Sequence, residues 1–500
     1  MTTREAPSRG MIHRDPTATE RERFDLIIIG GGVYGISLAL ESAARGLRPL
    51  LLERGDFGEE TSAATLRILH GGLRYLQSLD LIRFRESVRE RRWWIRTFPT
   101  LVAPLPCLLP LYGDGPRRRV IVAPALLLND LLSADRNRGV APELVLPPSR
   151  TLGRNETIDL FPSVRAEGLE GAALWYDASM ESPHRLLVEM LRWAALEGAV
   201  ALNYLEATEL LREGDRIAGV RGLDRLHGTE LGFRAPLVVN AAGSSTPRVA
   251  QLAGAADAAL FRPSLAFNVL LRRSPPSKFA VGVHAPDGSA QTYFLRPHGK
   301  FTFAGTGHVP WHERSEPPTR TPDSMIATFL EEIRRAVPSF DVTPADVVRE
   351  FRGLLPAAKE GTSVLARRPV IRDHSRNGGP TGLYSVAGVK FTTAPGVARL
   401  VLDRAFGPAP TRREEFLAHP PAFPARMTPK LFGRLREGSP ERAAAYLRST
   451  VSEESVAFEE DLVLGRLDWG LDLEDAESAS LDLAGLPGAP ALPRRTTSLP

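Results

Sequence analysis

Two kinds of apolar spacing alternate along the first part of the chain. An apolar run at Leu26–Ile29 precedes a glycine cluster, a stretch of helical spacing over Val33–Arg45, and a second apolar run at Leu50–Leu52. Short apolar runs bounded by glycine predict buried strands, and the helical period between them predicts a crossover helix. The order is strand, tight turn, helix, strand. Helical spacing returns at Asp80–Phe98, ending before Pro99, and at His184–Leu196, Ser324–Ala336 and Pro395–Phe406. Strands are expected at Ala199–Leu205, Glu206–Leu211, Ile217–Leu223, Leu237–Asn240, Ala266–Leu271, Thr292–Leu295, Phe301–Ala304 and Gly382–Val386. Leu101–Pro148 is proline-rich and is expected to be irregular, with one helix around Pro124–Ser133. Residues 1–22 and 486–500 carry no apolar period and are expected to be disordered tails, and after Pro408 only helical patterns remain.

A chain of 500 residues, 43% hydrophobic and 24% charged, has the length for two or three domains and the balance of a soluble globular protein. Its formal charge of +4 is small for this size. The one dense basic run, Arg83 to Arg96, is interrupted by Glu86 and Glu90 and has the spacing of a solvated helix face, so a nucleic-acid partner is not expected. Cys107 is the single cysteine, which excludes an intrachain disulfide and a cysteine metal site. No metal is expected, and a reducing compartment, the cytoplasm, fits. Residues 1–23 hold no apolar stretch like that of a signal peptide, and no run of about 18 apolar residues suited to spanning a membrane occurs. The longest candidates, Leu101–Tyr112 and Val120–Leu128, contain Pro104, Pro106, Pro110 and Pro124, which argue for loops or strand edges. Peripheral contact of such loops with the cytoplasmic membrane face is left open.

Gly30-Gly31-Gly32-Val33-Tyr34-Gly35 matches G-x-G-x-x-G in its full context, after a strand, opening a helix, with Glu53 closing the next strand about 20 residues on. Gly30 permits the turn, Gly32 lets backbone approach a pyrophosphate, Gly35 lets helix and strand pack, and Glu53 can accept ribose hydroxyls. The helix N-terminus faces the phosphates with free N–H groups. Thr61 and Ser62 supply hydroxyls suited to the same phosphates. Lysine occurs only at 278, 300, 359, 390 and 430, so Lys390 stands out in an arginine-rich chain.

The run His70-Gly71-Gly72-Leu73-Arg74-Tyr75-Leu76 closely resembles the FAD-dependent glycerol-3-phosphate dehydrogenases, within the wider set of flavin oxidoreductases that includes D-amino-acid oxidase. Val239-Asn240-Ala241-Ala242-Gly243 and Val386-Ala387-Gly388-Val389-Lys390-Phe391-Thr392-Thr393 resemble it too, and the likeness covers about Phe24 to Phe406. The resemblance implies an α/β fold: a doubly wound, Rossmann-type FAD domain, an inserted mixed α+β substrate domain, and a short C-terminal helical region. The expected FAD part is about 23–100, 180–255 and 340–406, the substrate part about 101–179 and 256–339, and the helical region 407–485. FAD, held non-covalently, would rest on Gly30, Gly32, Gly35, Glu53, Thr61, Ser62, Gly71, Gly72, Ala242, Gly243 and Gly388. His70, Arg74, Tyr75, Lys390 and Thr392 would form the catalytic side.

The resemblance implies oxidation of a small hydroxy, polyol phosphate-like substrate by hydride transfer to flavin N5, with electrons passing to quinone or oxygen. Three stretches depart from it, all on the substrate side. Asn268 stands where the family has a histidine, Leu355 in Gly353-Leu354-Leu355-Pro356 where it has a substrate-clamping arginine, and Gly305-Thr306-Gly307-His308 replaces Gly-Thr-Thr-Asp. An amide cannot act as a base, which leaves His70 and His308 as candidates, and Arg352 as a second anion clamp beside Arg74. An amino- or hydroxy-acid substrate, or an FAD-binding partner protein without turnover, are the alternatives these departures leave open. The oligomeric state is not legible in the sequence.

Overall fold

The computed structural model describes residues 10–76, 78–113, 118–255, 257–285, 291–312, 317–471 and 486–495. Leu26–Ile29 is buried at every position and lies inside a six-stranded sheet. The strand order is Val370–Asp373, Leu383–Ala387, Val238–Asn240, Leu26–Ile29, Pro49–Leu52, Val200–Leu202. All neighbours run parallel except the edge strand Val370–Asp373. Leu26 and Ile28 enter the core that holds helices Val33–Ala44, Pro183–Ala195 and Ala394–Phe406, whereas Ile27 and Ile29 enter a second core on the opposite face. That second face is covered by the meander Leu205–Glu213, Arg216–Asp224, Thr229–Arg234. A strand covered on both faces has no polar side to show, which is why its sequence is a continuous apolar run.

A nine-stranded sheet forms the second layer, in the order Val347–Pro356, Pro263–Leu271, Phe301–Pro310, Tyr293–His298, Ala280–Val283, Val102–Leu111, Gly171–Met180, Ile68–Leu69, with Arg150–Gly153 also on Gly171–Met180. Helix Asp323–Ala336 covers one face through Ile326, Phe329, Leu330 and Ile333.

Several expectations need correction. Leu101–Pro148 contains a ten-residue strand, Val102–Leu111, despite three prolines. Leu101 and Leu111 both accept N–H bonds from the Gly171–Met180 side, so odd positions face that neighbour, while Pro104, Pro106 and Pro110 turn their missing N–H to the other edge. The helix beyond begins earlier than expected, at Arg119, and carries Pro124 inside it. Val347–Pro356, expected in the FAD part, is the edge strand of the nine-stranded sheet. Within the expected N-terminal tail, Ile12 is buried, donates its N–H to Glu453 at 2.8 Å, and is followed by a short helix capped by Asp15. Within the expected C-terminal tail, Leu486 is buried and Arg495 pairs with Glu59 at 2.7 Å and Asp461 at 2.6 Å. Residues 1–9 and 496–500 of the expected tails, and 472–485 of the expected helical region, lie outside the described residues.

Buried ion pairs anchor the C-terminal region on the layer of the six-stranded sheet. Glu454 accepts Arg185 at 2.7 and 2.9 Å and Arg192 at 2.6 Å. Arg466, with a fully buried side chain, meets both oxygens of Asp56 at 2.5 and 2.8 Å. Removing one partner of such a pair leaves an uncompensated buried charge. Arg466→Met is therefore expected to lower stability by about 3–5 kcal/mol, read from the urea unfolding midpoint. A paired Asp56→Leu change should recover part of that loss, and an unchanged midpoint in the single variant would contradict the anchoring role.

Candidate functional site

The glycine fingerprint is built by close approach. Gly30 has φ of +110°, and a Cβ there would sit 2.6 Å from the Ala241 carbonyl oxygen. A Cβ on Gly35 would sit 1.8 Å from the Gly30 carbonyl, so the helix can cross the strand only here, without a side chain. Gly32 differs. Its Cβ would meet only Ser62 Oγ, at 3.0 Å, and otherwise enter open space at the helix N-terminus. Ser62 Oγ accepts the Val33 N–H at 3.0 Å, and Gly32 itself caps nothing, so the remaining first-turn N–H groups face the cavity. Glu53 accepts the N–H of Gly31 at 2.6 Å and of Gly55 at 2.7 Å, and its burial raises its pKa.

A cavity of about 1690 Å³ runs from this cradle to the junction of the two sheets. Gly30, Gly32, Glu53, Thr61, Ser62, Ala242 and Gly243 line one end, and His70, Gly72, Arg74, Tyr75, Gly388, Lys390 and Thr392 the other. Gly35 and Gly71 lie behind the wall. Thr61 donates its hydroxyl to the Leu354 carbonyl at 3.2 Å and so ties the two layers together, a different use from the expected phosphate contact.

Behind His70 sits a buried carboxylate. His70 Nδ1 is 3.1 Å from Asp177 Oδ2, while Asp177 Oδ1 accepts the Gly71 N–H and the Arg91 guanidinium, each at 2.7 Å. Asp177 is held down to about 2: burial opposes ionisation, but His70, Arg91 and the Gly71 N–H outweigh it. A Cβ on Gly71 would collide with Arg91 at 2.1 Å, which explains the glycine. Sequence reasoning singles out neither Asp177 nor Arg91. The available signal is a single charged residue inside the largely apolar strand Gly171–Met180.

Part of the same lining is cationic. Lys390 Nζ lies 3.9 Å from the Tyr75 ring centre, with Arg83 4.2 Å from the same ring. Burial, and then Arg74, push the Lys390 ammonium down to about 7. Arg74 is likewise lowered, by burial and then by Arg83. The turn carrying Lys390 is clamped by Tyr34, whose hydroxyl donates to the Lys390 carbonyl at 2.8 Å and accepts its N–H at 3.1 Å. A Cβ on Gly388 would fall 1.7 Å from the Tyr34 ring. Trp94 Nε1 donates to the Thr392 carbonyl at 2.9 Å and fixes the start of helix Ala394–Phe406.

Of the substrate-side departures, Asn268 lines the cavity while its amide donates to Ala64 O at 2.9 Å and its Oδ1 accepts from Thr306 Oγ1 at 2.8 Å. His308 lines the cavity, and burial followed by Arg74 holds it down to about 4. Leu355 lines the cavity as well. Arg352 does not. It donates to the Pro318 carbonyl at 2.6 Å and lies 3.8 Å from Glu350, so it is no clamp for a substrate.

The model of the family described as FAD dependent oxidoreductase matches residues 25–404. The chain belongs to that family. It is 30% identical over 399 residues to a glycerol-3-phosphate dehydrogenase of Synechocystis sp., covering 77% of this chain and 70% of that one. It is 31% identical over 418 residues to the mitochondrial glycerol-3-phosphate dehydrogenase of Homo sapiens, of whose length it spans about half, 55%. The structure of glycerol-3-phosphate dehydrogenase from Bacillus halodurans complexed with FAD superposes with a TM-score of 0.68 at 21% identity, covering 94% of this chain and 91% of that one. FAD is thus the cofactor, and the residues fit it: a cradle that a Cβ on Gly32 would fill leads into a cavity ending at His70 and Lys390. Gly32→Val is expected to abolish flavin retention, with far-ultraviolet circular dichroism unchanged. A yellow variant with full FAD content would contradict this placement.

Proposed function

We propose that this chain oxidises a small hydroxy compound bearing an anionic group, of the polyol phosphate type. The observation that carries this reading is the His70–Asp177 pair lining one cavity together with Arg74 and Lys390. Bound FAD supplies the hydride acceptor. Asp177, ionised and immobile, receives Nδ1–H and leaves His70 Nε2 free to take the hydroxyl proton as the substrate C–H bond breaks. Asn268 is not needed as a base, and His308, held neutral, can serve as a hydrogen-bond partner to the substrate. Arg74 and Lys390 bind the anion, and an anion beside Lys390 draws back the proton that burial pushes off. Electrons leave the site to a quinone or to oxygen.

An anaerobic bleaching screen across polyol phosphates, hydroxy acids and amino acids tests the reading. Bleaching is expected with a phosphorylated polyol. His70→Gln should slow it by about 10²–10⁴-fold at unchanged FAD content. Reduction by an amino acid alone, or equal rates in the variant, would overturn the assignment.

The partner face is proposed as well. Among the described residues no helix is long and apolar enough to cross a membrane. Helix Arg119–Leu132 nevertheless exposes Val120, Ile121, Leu127 and Leu131, and Leu79, Leu81 and Ile82 are exposed near its end, where Arg85 bonds to Leu132 and Asp135. With Arg118 and Arg119 at the helix start, this surface suits peripheral contact with an anionic lipid face. Co-sedimentation with phosphatidylglycerol vesicles is expected and should be lost in Leu127→Glu/Leu131→Glu. Wild-type protein that stays in the supernatant would refute it.

A further inference from the structure

Residues 486–495 lie outside the stretch that the family model matches, yet Arg495 reaches the wall of the FAD cavity. The segment is seated along its length. Leu486 is buried in one cluster with Phe432, Leu447 and Trp469, and Ala489 and Leu492 pack on that cluster. Pro493 O accepts the Glu459 N–H at 2.9 Å, and the Glu460 carboxylate accepts the Arg495 N–H at 2.9 Å. From this fixed backbone the Arg495 guanidinium crosses to the layer of the six-stranded sheet. It meets Glu59 Oε1 at 2.7 Å, Asp461 Oδ1 at 2.6 Å and the Tyr204 hydroxyl oxygen at 2.6 Å.

These contacts converge on the loop that follows the strand Pro49–Leu52. Within it Glu53 accepts the Gly31 and Gly55 N–H groups, and Glu59 accepts the Asp56 N–H at 3.3 Å. Tyr204 donates its N–H to Gly55 O at 2.9 Å, and Leu205 donates to Glu53 O at 2.8 Å. Glu53, Gly55, Glu59, Tyr204 and Arg495 all line the cavity. In a strand–glycine–helix nucleotide site the acidic residue closing the second strand meets the adenosine ribose, so this is the adenosine end. The loop is also crowded with negative charge: Asp56, Glu59 and Asp461 offer oxygens within 4.8 Å of one another. Arg466 answers Asp56, and Arg495 answers both Glu59 and Asp461. Burial pushes Glu59 up to about 7, with Asp56 and Asp461 adding to the rise and Arg495 opposing it. Without Arg495, Glu59 would lose the cation that keeps it charged against the loop.

We propose that the segment 486–495 is a strap on the adenosine end of the FAD site, and that Arg495 is the positioning residue that ties it to the Glu59 loop and so holds Glu53 in place for the ribose. A planar guanidinium can bridge two carboxylates and a hydroxyl at once, which a point charge on a flexible stem does less well. The assignment concerns retention of the cofactor and is independent of which substrate is oxidised.

The test uses the full chain loaded with FAD and reads the rate of FAD release after dilution, from the rise of free-flavin fluorescence. Arg495→Ala is expected to speed release ~10–100-fold, the effect of losing a charged hydrogen-bond partner. Arg495→Lys, which keeps the charge, should fall between that variant and the wild type. After reloading with excess FAD, the visible flavin spectrum of Arg495→Ala should equal that of the wild type, because the strap acts only at the adenosine end. Glu59→Gln should speed release as well. The double variant Arg495→Ala/Glu59→Gln should release FAD no faster than the quicker single variant, since both changes break one tie. Unchanged release in Arg495→Ala overturns the strap. Accelerations that multiply in the double variant overturn the tie through Glu59, and an altered spectrum after reloading overturns a role confined to the adenosine end.

Discussion

Helix Val33–Ala44 lies so close on the strand before it that the Gly35 position touches the Gly30 carbonyl, and any side chain there would overlap it. Most of the site descends from this contact. It aims the helix N-terminus at the cavity, sets Gly31 within reach of Glu53, and seats Ser62 on the first helical N–H. It also leaves Tyr34, in the first turn, positioned to grip the backbone of Lys390 from an element more than three hundred residues away in sequence. One close crossing thus orders both the cofactor end and the catalytic end of the same cavity.

At the catalytic end the organising force is electrostatic. A buried carboxylate at Asp177 stays ionised because His70, Arg91 and the Gly71 N–H surround it. In return it orients the imidazole that faces the cavity. In the same cavity Lys390, Arg74 and Arg83 gather around the Tyr75 ring; Arg83 pairs with Asp80 at 3.4 Å, while Arg74 and Lys390 have no carboxylate partner among the described residues. An imidazole held by a buried carboxylate, in one cavity with unpaired cations, is the arrangement on which the proposed proton removal from an anionic hydroxy compound rests.

The C-terminal region stabilises this arrangement from behind. Arg466 neutralises Asp56 just past Glu53, Glu454 gathers Arg185 and Arg192 from helix Pro183–Ala195, and Arg67 meets Asp468 across the two layers at 2.7 Å. These pairs are nearly dry, so their value lies in holding the parts in register, since desolvation offsets much of their attraction.

The strand–glycine–helix unit, Glu53, the HGGLRYL run and the turn around Lys390 are legible in the sequence because local spacing carries them: a glycine, a helical period and an acidic strand end act within a few residues. The FAD end of the cavity is therefore readable from local pattern. The strand through Pro104, Pro106 and Pro110 is not, because only the pairing partner decides which edge needs N–H groups. The tails mislead for a related reason: Ile12 and Arg495 are ordered by distant segments, not by their own pattern. Asp177 behind His70 and Tyr34 against Lys390 depend on contacts across long stretches of chain, which no local period encodes. The sequence by itself determined which cofactor this protein holds and on which elements. Tertiary structure alone decided which carboxylate meets His70 and which hydroxyl holds the Lys390 backbone, because buried polar groups are assigned partners only by packing.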